Sequence, residues 1–151
     1  MPMTDKPADS TKRVLGIDFG TTRIGISLSD PLQIIASPFA TYENTPGIFE
    51  RIRDTATRED VGLIVVGMPL NLKGEKGKKA LEVEEFMEEL RAMVHLEIVH
   101  WDERFTTSIA QQTLLTMGTR REDRRTNKAR VDAMAAAVML QGYLDSHKGS
   151  L

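Results

Sequence analysis

Three acidic residues occupy positions that suggest a chemical role for their carboxylates. Asp18 interrupts the apolar run 14–19, where an unpaired buried charge costs several kcal/mol. Glu103 follows a predicted strand, and Asp132 shares a helical stripe with apolar residues. Grouped carboxylates repel each other unless a cation joins them, and Mg²⁺ or Mn²⁺ prefers carboxylate oxygens. This set therefore predicts a metal site that could hydrolyse phosphodiester bonds.

Each acid also has a structural alternative. Asp18 could accept backbone N–H bonds from the turn at 20–22. Glu103, or the aspartate before it, could cap the next helix or pair with Arg104. Asp132 could form an i, i+4 ion pair with Lys128. Each alternative is reasonable for one acid alone, but none explains why three acids recur at one predicted edge.

Basic residues concentrate next to Asp132. The segment "RREDRRTNKAR" at 120–130 carries six basic and two acidic side chains, in a chain whose net charge is −2. Lysines at 73, 76, 78 and 79 form a second basic group after the "LIVVG" segment. Such local patches suit phosphate contacts, although charge runs are also commonly just solvated. Aromatic residues make up 5% of the chain, and we find no aromatic platform for base stacking.

The hydrophobic pattern predicts an α/β fold with a mixed five-stranded sheet and helices on both faces. Three antiparallel strands joined by short turns precede two strands reached through helices, which favours parallel pairing. Asp18 then lies toward the carboxyl end of a central strand, at the edge where ligands gather in open α/β sheets. The predicted strands are 13–20, 24–29, 33–42, 63–66 and 96–101, and the predicted helices begin near Thr45 and span 80–94, 106–117 and 127–144.

Length and composition predict one domain. The 151 residues suffice for a single core, which we assign to 13–146, between a flexible N-terminal tail at 1–12 and a C-terminal tail at 147–151. The absence of cysteine excludes disulfides and a thiolate nucleophile. No signal peptide or membrane span is recognisable, so we expect a cytoplasmic protein that has no membrane partner.

Four motifs, in order, carry a family resemblance. The segments "LGIDFGTTRIGISLSD", "VVGMPLNLKGEKG", "DERFTT" and "NKARVDAMAAAVML" resemble the YqgF (RuvX) family over about residues 13–145. The resemblance implies a ribonuclease H-like fold and a divalent-metal-dependent nuclease, using Mg²⁺ or Mn²⁺. It further implies that Asp18, Glu103 and Asp132 form the catalytic and metal-binding site. The implied activity is processing of the 5′ end of pre-16S rRNA or, alternatively, Holliday junction resolution.

The expected partner is nucleic acid, either structured RNA or branched DNA, with ribosomal precursor particles and a second copy of the chain as further candidates. Position and family motif together nominate six residues for nucleic-acid contact: Arg23, Arg104, Arg124, Arg125, Lys128 and Arg130.

Two other functions stay open. "GIDFGTT" also resembles the phosphate-binding turn of sugar kinases and actin-like ATPases, but those proteins need two such domains flanking a cleft. Related junction resolvases carry a second acid one turn from the one in the last helix, whereas Asp132 has Ala129 and Ala135 there. That difference favours, as a third hypothesis, a non-catalytic RNA-binding factor in ribosome assembly.

Overall fold

The computed structural model describes residues 12–71, 73–105 and 127–147. These residues form a five-stranded sheet and three α-helices. The predicted helix at 106–117 lies outside the described residues. The elements in chain order are β1 (Arg13–Asp18), β2 (Arg23–Ser29), β3 (Ala36–Glu43), α1 (Ile48–Arg58), β4 (Val61–Met68), α2 (Lys78–Met93), β5 (Glu97–Asp102), a 3₁₀ turn (Glu103–Phe105) and α3 (Asn127–His147).

The sheet has the strand order β3-β2-β1-β4-β5. β1 pairs antiparallel with β2, and β2 with β3, whereas the β1–β4 and β4–β5 pairs are parallel. The predicted mixed sheet, three antiparallel strands followed by two parallel ones, is confirmed. The parallel strands β1, β4 and β5 end at one edge, which carries Asp18, Met68 and Asp102.

The two faces of the sheet bury different helices. Leu15 and Ile17 of β1 belong to a core cluster that includes residues of α1 and α2, such as Ile52 and Leu90. Val14 instead packs in the cluster that contains α3. Side chains alternate along a strand, so Asp18 lies on the same face as Val14, the face that α3 covers. None of the helices in the described ranges is long and apolar enough to cross a lipid bilayer.

Small residues let α3 lie close against the sheet. The buried Ser27 hydroxyl donates to the carbonyl of Ala136 at 2.9 Å. A Cβ at Gly25 would stand only 2.0 Å from the carbonyl oxygen of Asp132, so only glycine fits there. Gly25 is the register partner of Asp18. This close approach of backbone to backbone therefore brings the start of α3 next to the end of β1.

Candidate active site

Asp18 ends β1 in a partly buried position. The pKa of its carboxyl group is raised from 3.8 to about 6, chiefly by burial; the charge of Lys79 opposes this rise, and the negative charge of Asp132 adds to it. The shift means that the surroundings do not compensate the ionised carboxylate. A structural aspartate satisfied by backbone N–H groups has a lowered pKa, so the structural alternative for Asp18 is not supported.

Glu103 stands in the 3₁₀ turn directly after β5. Its carboxyl group lies over Gly67 of β4, where a Cβ would be 3.1 Å from Oε2. Burial, followed by the charge of Asp18, raises the pKa of Glu103 from 4.5 to about 7, with Lys79 again opposing. The turn after β5 thus places the Glu103 carboxyl group beside the end of β4, close enough to Asp18 for the two negative charges to repel each other.

Asp132 is oriented by an arginine from the neighbouring hairpin. The Nε of Arg23, at the start of β2, donates to Oδ2 of Asp132 at 2.6 Å, and both side chains are partly exposed. The described contacts therefore pair Asp132 with Arg23. This ion pair places Arg23, predicted to contact nucleic acid, on the acidic site itself.

Lys79 is the cation that the two raised acids share. It lies in the first turn of α2, and its charge lowers the pKa of both Asp18 and Glu103. The sequence placed Lys79 in a basic loop beside the site. Its action on both carboxylates arises from the fold, which sets the start of α2 beside the ends of β1 and β5.

Asp102 and Arg104, on either side of Glu103 in the sequence, form an ion pair. Arg104 donates through Nε and Nη2 to Asp102 Oδ2, at 2.9 and 2.5 Å, and this bond holds the pKa of Asp102 below its usual range. The Arg104 guanidinium also lies against Gly74, whose φ of +81° suits glycine. Arg104 thus connects the end of β5 to the loop after β4, and its pair with Asp102 is one of the structural alternatives that the sequence left open for this segment.

The structure describes only some of the other basic residues that were predicted to contact nucleic acid. Arg130 is exposed on the first turns of α3. Lys128 belongs to α3, but its side chain lies outside the described residues, as do Arg124 and Arg125.

The donor chemistry of the site fits a hard divalent cation only in part. Asp18 and Glu103 supply carboxylate oxygens whose mutual repulsion a cation would relieve. Asp132, however, is engaged by Arg23. Within the described ranges, no three His, Cys, Asp or Glu side chains stand in an arrangement that would hold a metal ion. Asp18 and Glu103 are therefore the fitting pair, and Asp132 could join them only by loosening its bond to Arg23.

The fold defines the structural class of this protein. A TM-score of 0.57 relates it to the solved structure "T. thermophilus RuvC in complex with Holliday junction substrate", at 16% identity, covering 92% of this chain and 97% of that one. A Fowlpox virus resolvase bound to Holliday junction DNA matches with a TM-score of 0.51 at 11% identity, covering 90% and 99%. At these identities the likeness concerns the fold, which is ribonuclease H-like as predicted.

The chain belongs to the RuvX family. The family model described as "RuvX: Holliday junction resolvase" matches residues 12–146. A protein of Chlorobaculum tepidum named "Putative pre-16S rRNA nuclease" is 40% identical over 143 residues, covering 93% of this chain and 98% of the relative. A protein of the same name from Sulfurihydrogenibium sp. (strain YO3AOP1) is 39% identical over 135 residues, covering 88% and 90%. The predicted family is therefore confirmed.

Proposed function

We propose that this chain is a divalent-metal-dependent nuclease that hydrolyses phosphodiester bonds at the 5′ end of pre-16S rRNA. The observation that carries the proposal is the pair of partly buried carboxylates, Asp18 and Glu103, whose pKa values are both raised at one strand edge. Such perturbed acids cluster at functional sites. The names of the two relatives support ribosomal RNA as the substrate.

Each acid has a distinct part in this proposal. Asp18 and Glu103 would hold Mg²⁺ or Mn²⁺, which when bound supplies charge to activate water and stabilise the phosphoryl oxygens. Asp132, oriented by Arg23, would complete the acidic site from the side of α3. Lys79 would moderate the repulsion between the carboxylates before the cation binds.

The phosphate backbone would be held by basic side chains around this edge. Arg130 is exposed on the same end of α3 that carries Asp132. Lys128, Arg124 and Arg125 precede it in the sequence, and Arg104 lies beyond Glu103. Contacts of this kind position a nucleic acid without reading its sequence. We place this work in the cytoplasm, on the RNA of ribosomal precursor particles.

The experiment is cleavage of two end-labelled substrates by the purified chain in Mg²⁺ or Mn²⁺. One substrate is a structured pre-16S leader RNA and the other is a four-way DNA junction. Cleavage of the RNA, lost in Asp18→Asn, is the expected result. Cleavage of the junction alone would replace the proposed substrate with branched DNA, in line with the Holliday junction in the family's description.

A matched control separates chemistry from folding. Asp60→Asn makes the same change at an exposed turn before β4, at the opposite end of the sheet from the acidic edge. Asp60 has a φ of +58°, a conformation that asparagine also tolerates. This variant should cleave like the wild type. RNA binding without cleavage in either metal would overturn the nuclease proposal in favour of a non-catalytic RNA-binding factor.

A further inference from the structure

A β-bulge on the edge strand turns one aromatic ring outward. Ile26 of β2 pairs with Ala40 of β3, but the next residue, Ser27, pairs with Pro38. Phe39 is therefore an extra residue that has no partner in the register, and its side chain is 39% exposed. Bulges re-aim side chains and occur preferentially at sheet edges and beside active sites.

Phe39 lines an open groove between β3 and α3. The groove has a volume of about 430 Å³, within the range of small-ligand clefts. Residues 38–41 form one wall, and Arg130, Ala133 and Met134 form the other. The lining of the groove thus includes an aromatic, a thioether-containing and a basic residue.

The groove lies beside the acidic site. Asp18 pairs with Gly25, and Gly25 pairs with Thr41 at the end of the groove wall. Two strand spacings separate Asp18 from Thr41, which is about 10 Å. Arg130 and Asp132 both lie in the first two turns of α3. A nucleotide in the groove would therefore be a near neighbour of a phosphodiester bond held at Asp18.

A strand from a protein partner fits this edge poorly. Pro38 carries no N–H to donate, and the bulge twists the edge of β3; both features disfavour the pairing of an added strand. A nucleotide instead has a π face for Phe39 and a phosphate for Arg130. Stacking on an aromatic side chain tolerates any base, because every base has a π face.

We propose that the groove formed by Phe39, Arg130 and Met134 is a nucleotide subsite, which stacks a base flanking the scissile phosphate and binds its phosphate through Arg130. The inference rests on the proposed nuclease function and adds a substrate contact to it. The low aromatic content gave no sign of such a platform, because one ring on a bulge leaves no sequence pattern.

Steady-state cleavage of the leader RNA tests the subsite. Phe39→Ala should raise KM about 5- to 10-fold, the low end for base stacking, and leave kcat nearly unchanged. Phe39→Trp should keep the wild-type KM. Leu81→Ala, an exposed apolar residue of α2, is the matched control and should change neither constant.

A base-specific readout separates stacking from a structural effect. The leader RNA carries one 2-aminopurine, placed in turn at each nucleotide flanking the mapped cut, and is bound to Asp18→Asn protein so that it stays intact. Fluorescence should be quenched at one position, and Phe39→Ala should abolish that quenching. An abasic nucleotide at that position should erase the KM difference between wild type and Phe39→Ala.

The outcomes distinguish the subsite from the nuclease function. If the wild type cleaves but Phe39→Ala has an unchanged KM and no position shows Phe39-dependent quenching, the subsite is wrong and the nuclease function stands. If the wild type does not cleave the RNA, the nuclease function is wrong and the subsite falls with it.

Discussion

The surroundings of Asp18 in the fold disfavour its ionised form. Its raised pKa means that the folded chain holds the proton of this carboxyl group more tightly than the unfolded chain does. The ionised carboxylate that forms near neutral pH is therefore less stable in the folded chain than in the unfolded chain. An acid kept at such a cost suits a site that meets a cation.

Asp18→Asn should stabilise the protein in the absence of divalent metal. The pKa of Asp18 is about 6 in the folded chain, against an ordinary value of 3.8. The folded wild-type protein therefore loses stability as the pH rises through this window and the carboxyl group ionises. Asparagine stays neutral. The gain should be of the order of 1–3 kcal/mol at pH 7.5 and should shrink as the pH falls from 6 toward 4. Urea unfolding in EDTA at pH 7.5 and 4.5 measures it.

An acid with the opposite shift gives the control. The Asp30 carboxylate accepts the N–H groups of Ile34 and Ile35 at 2.7 and 2.8 Å, and its pKa is lowered. Asp30→Asn should therefore lose stability at pH 7.5, where Asp18→Asn gains it. Equal losses in both variants would show that Asp18 is a structural residue.

Gly67→Ala should move Glu103 without unfolding the sheet. The new methyl group would stand 3.1 Å from the Glu103 carboxyl, which must shift by a few tenths of an ångström. Misplacement by 1 Å can cost about 100-fold in rate, so we expect a several-fold loss of kcat for RNA cleavage. Alanine also suits a strand better than glycine, so the unfolding midpoint should not fall.

Gly77→Ala supplies the comparison, because nothing lies within 4 Å of a Cβ at that position. It should cleave at the wild-type rate. An unchanged rate in Gly67→Ala as well would show that the position of Glu103 does not govern cleavage.

The candidate acids were predictable as residues, but their partners were not. Asp18 stands out because a charge interrupts an apolar run, and Glu103 because it follows a strand. The Arg23–Asp132 pair joins residues 109 positions apart, and Lys79 acts on two acids from another element. No local spacing encodes such contacts, since they exist only after the sheet and helices assemble.

At the scale of elements, the approach of α3 to the sheet fixes the geometry of the site. Gly25 of β2 touches the backbone of Asp132, and Gly25 is also the register partner of Asp18. The same β2–α3 contact that closes the core thus positions an acid. A change in this packing should therefore alter both stability and the site.

Gly25→Ala should separate α3 from β2. A Cβ there would lie 2.0 Å from the Asp132 carbonyl oxygen, a backbone atom that cannot rotate away. Overpacking of this kind costs about 1–3 kcal/mol or more, so the urea midpoint should fall clearly and cleavage should be lost. The Gly77→Ala control should keep the wild-type urea midpoint and the wild-type cleavage. A midpoint equal to the wild type would contradict the close packing.

The pattern of elements was largely predictable, whereas some boundaries and irregularities were not. Alternating and continuous apolar runs predicted the five strands, and the short and helical connections between them predicted which pairs are antiparallel and which are parallel. The Thr45-Pro46 signal predicted a helix start, but α1 begins at Ile48, because the carbonyl of Thr45 accepts the Ile48 N–H in a preceding turn. The bulge at Phe39 depends on pairing with β2, which a single segment does not reveal.

At the scale of the whole molecule, the three acidic residues come from separate elements of the fold. Asp18 ends β1, Glu103 follows β5, and Asp132 lies in α3. A cation bound between them would connect elements from both halves of the sheet. Because small domains unfold cooperatively, binding at this edge should stabilise the entire chain.

Mg²⁺ or Mn²⁺ should therefore raise the thermal unfolding midpoint. At a concentration 100 times Kd, a single bound ion contributes about 2.7 kcal/mol, which corresponds to a rise of roughly 5–10 °C for a chain of this size. Differential scanning calorimetry measures the rise, with NaCl of equal ionic strength as the reference for screening. Asp18→Asn should abolish it, and Asp60→Asn should keep it. A wild-type midpoint that stays constant up to millimolar metal would contradict a cation site at Asp18 and Glu103.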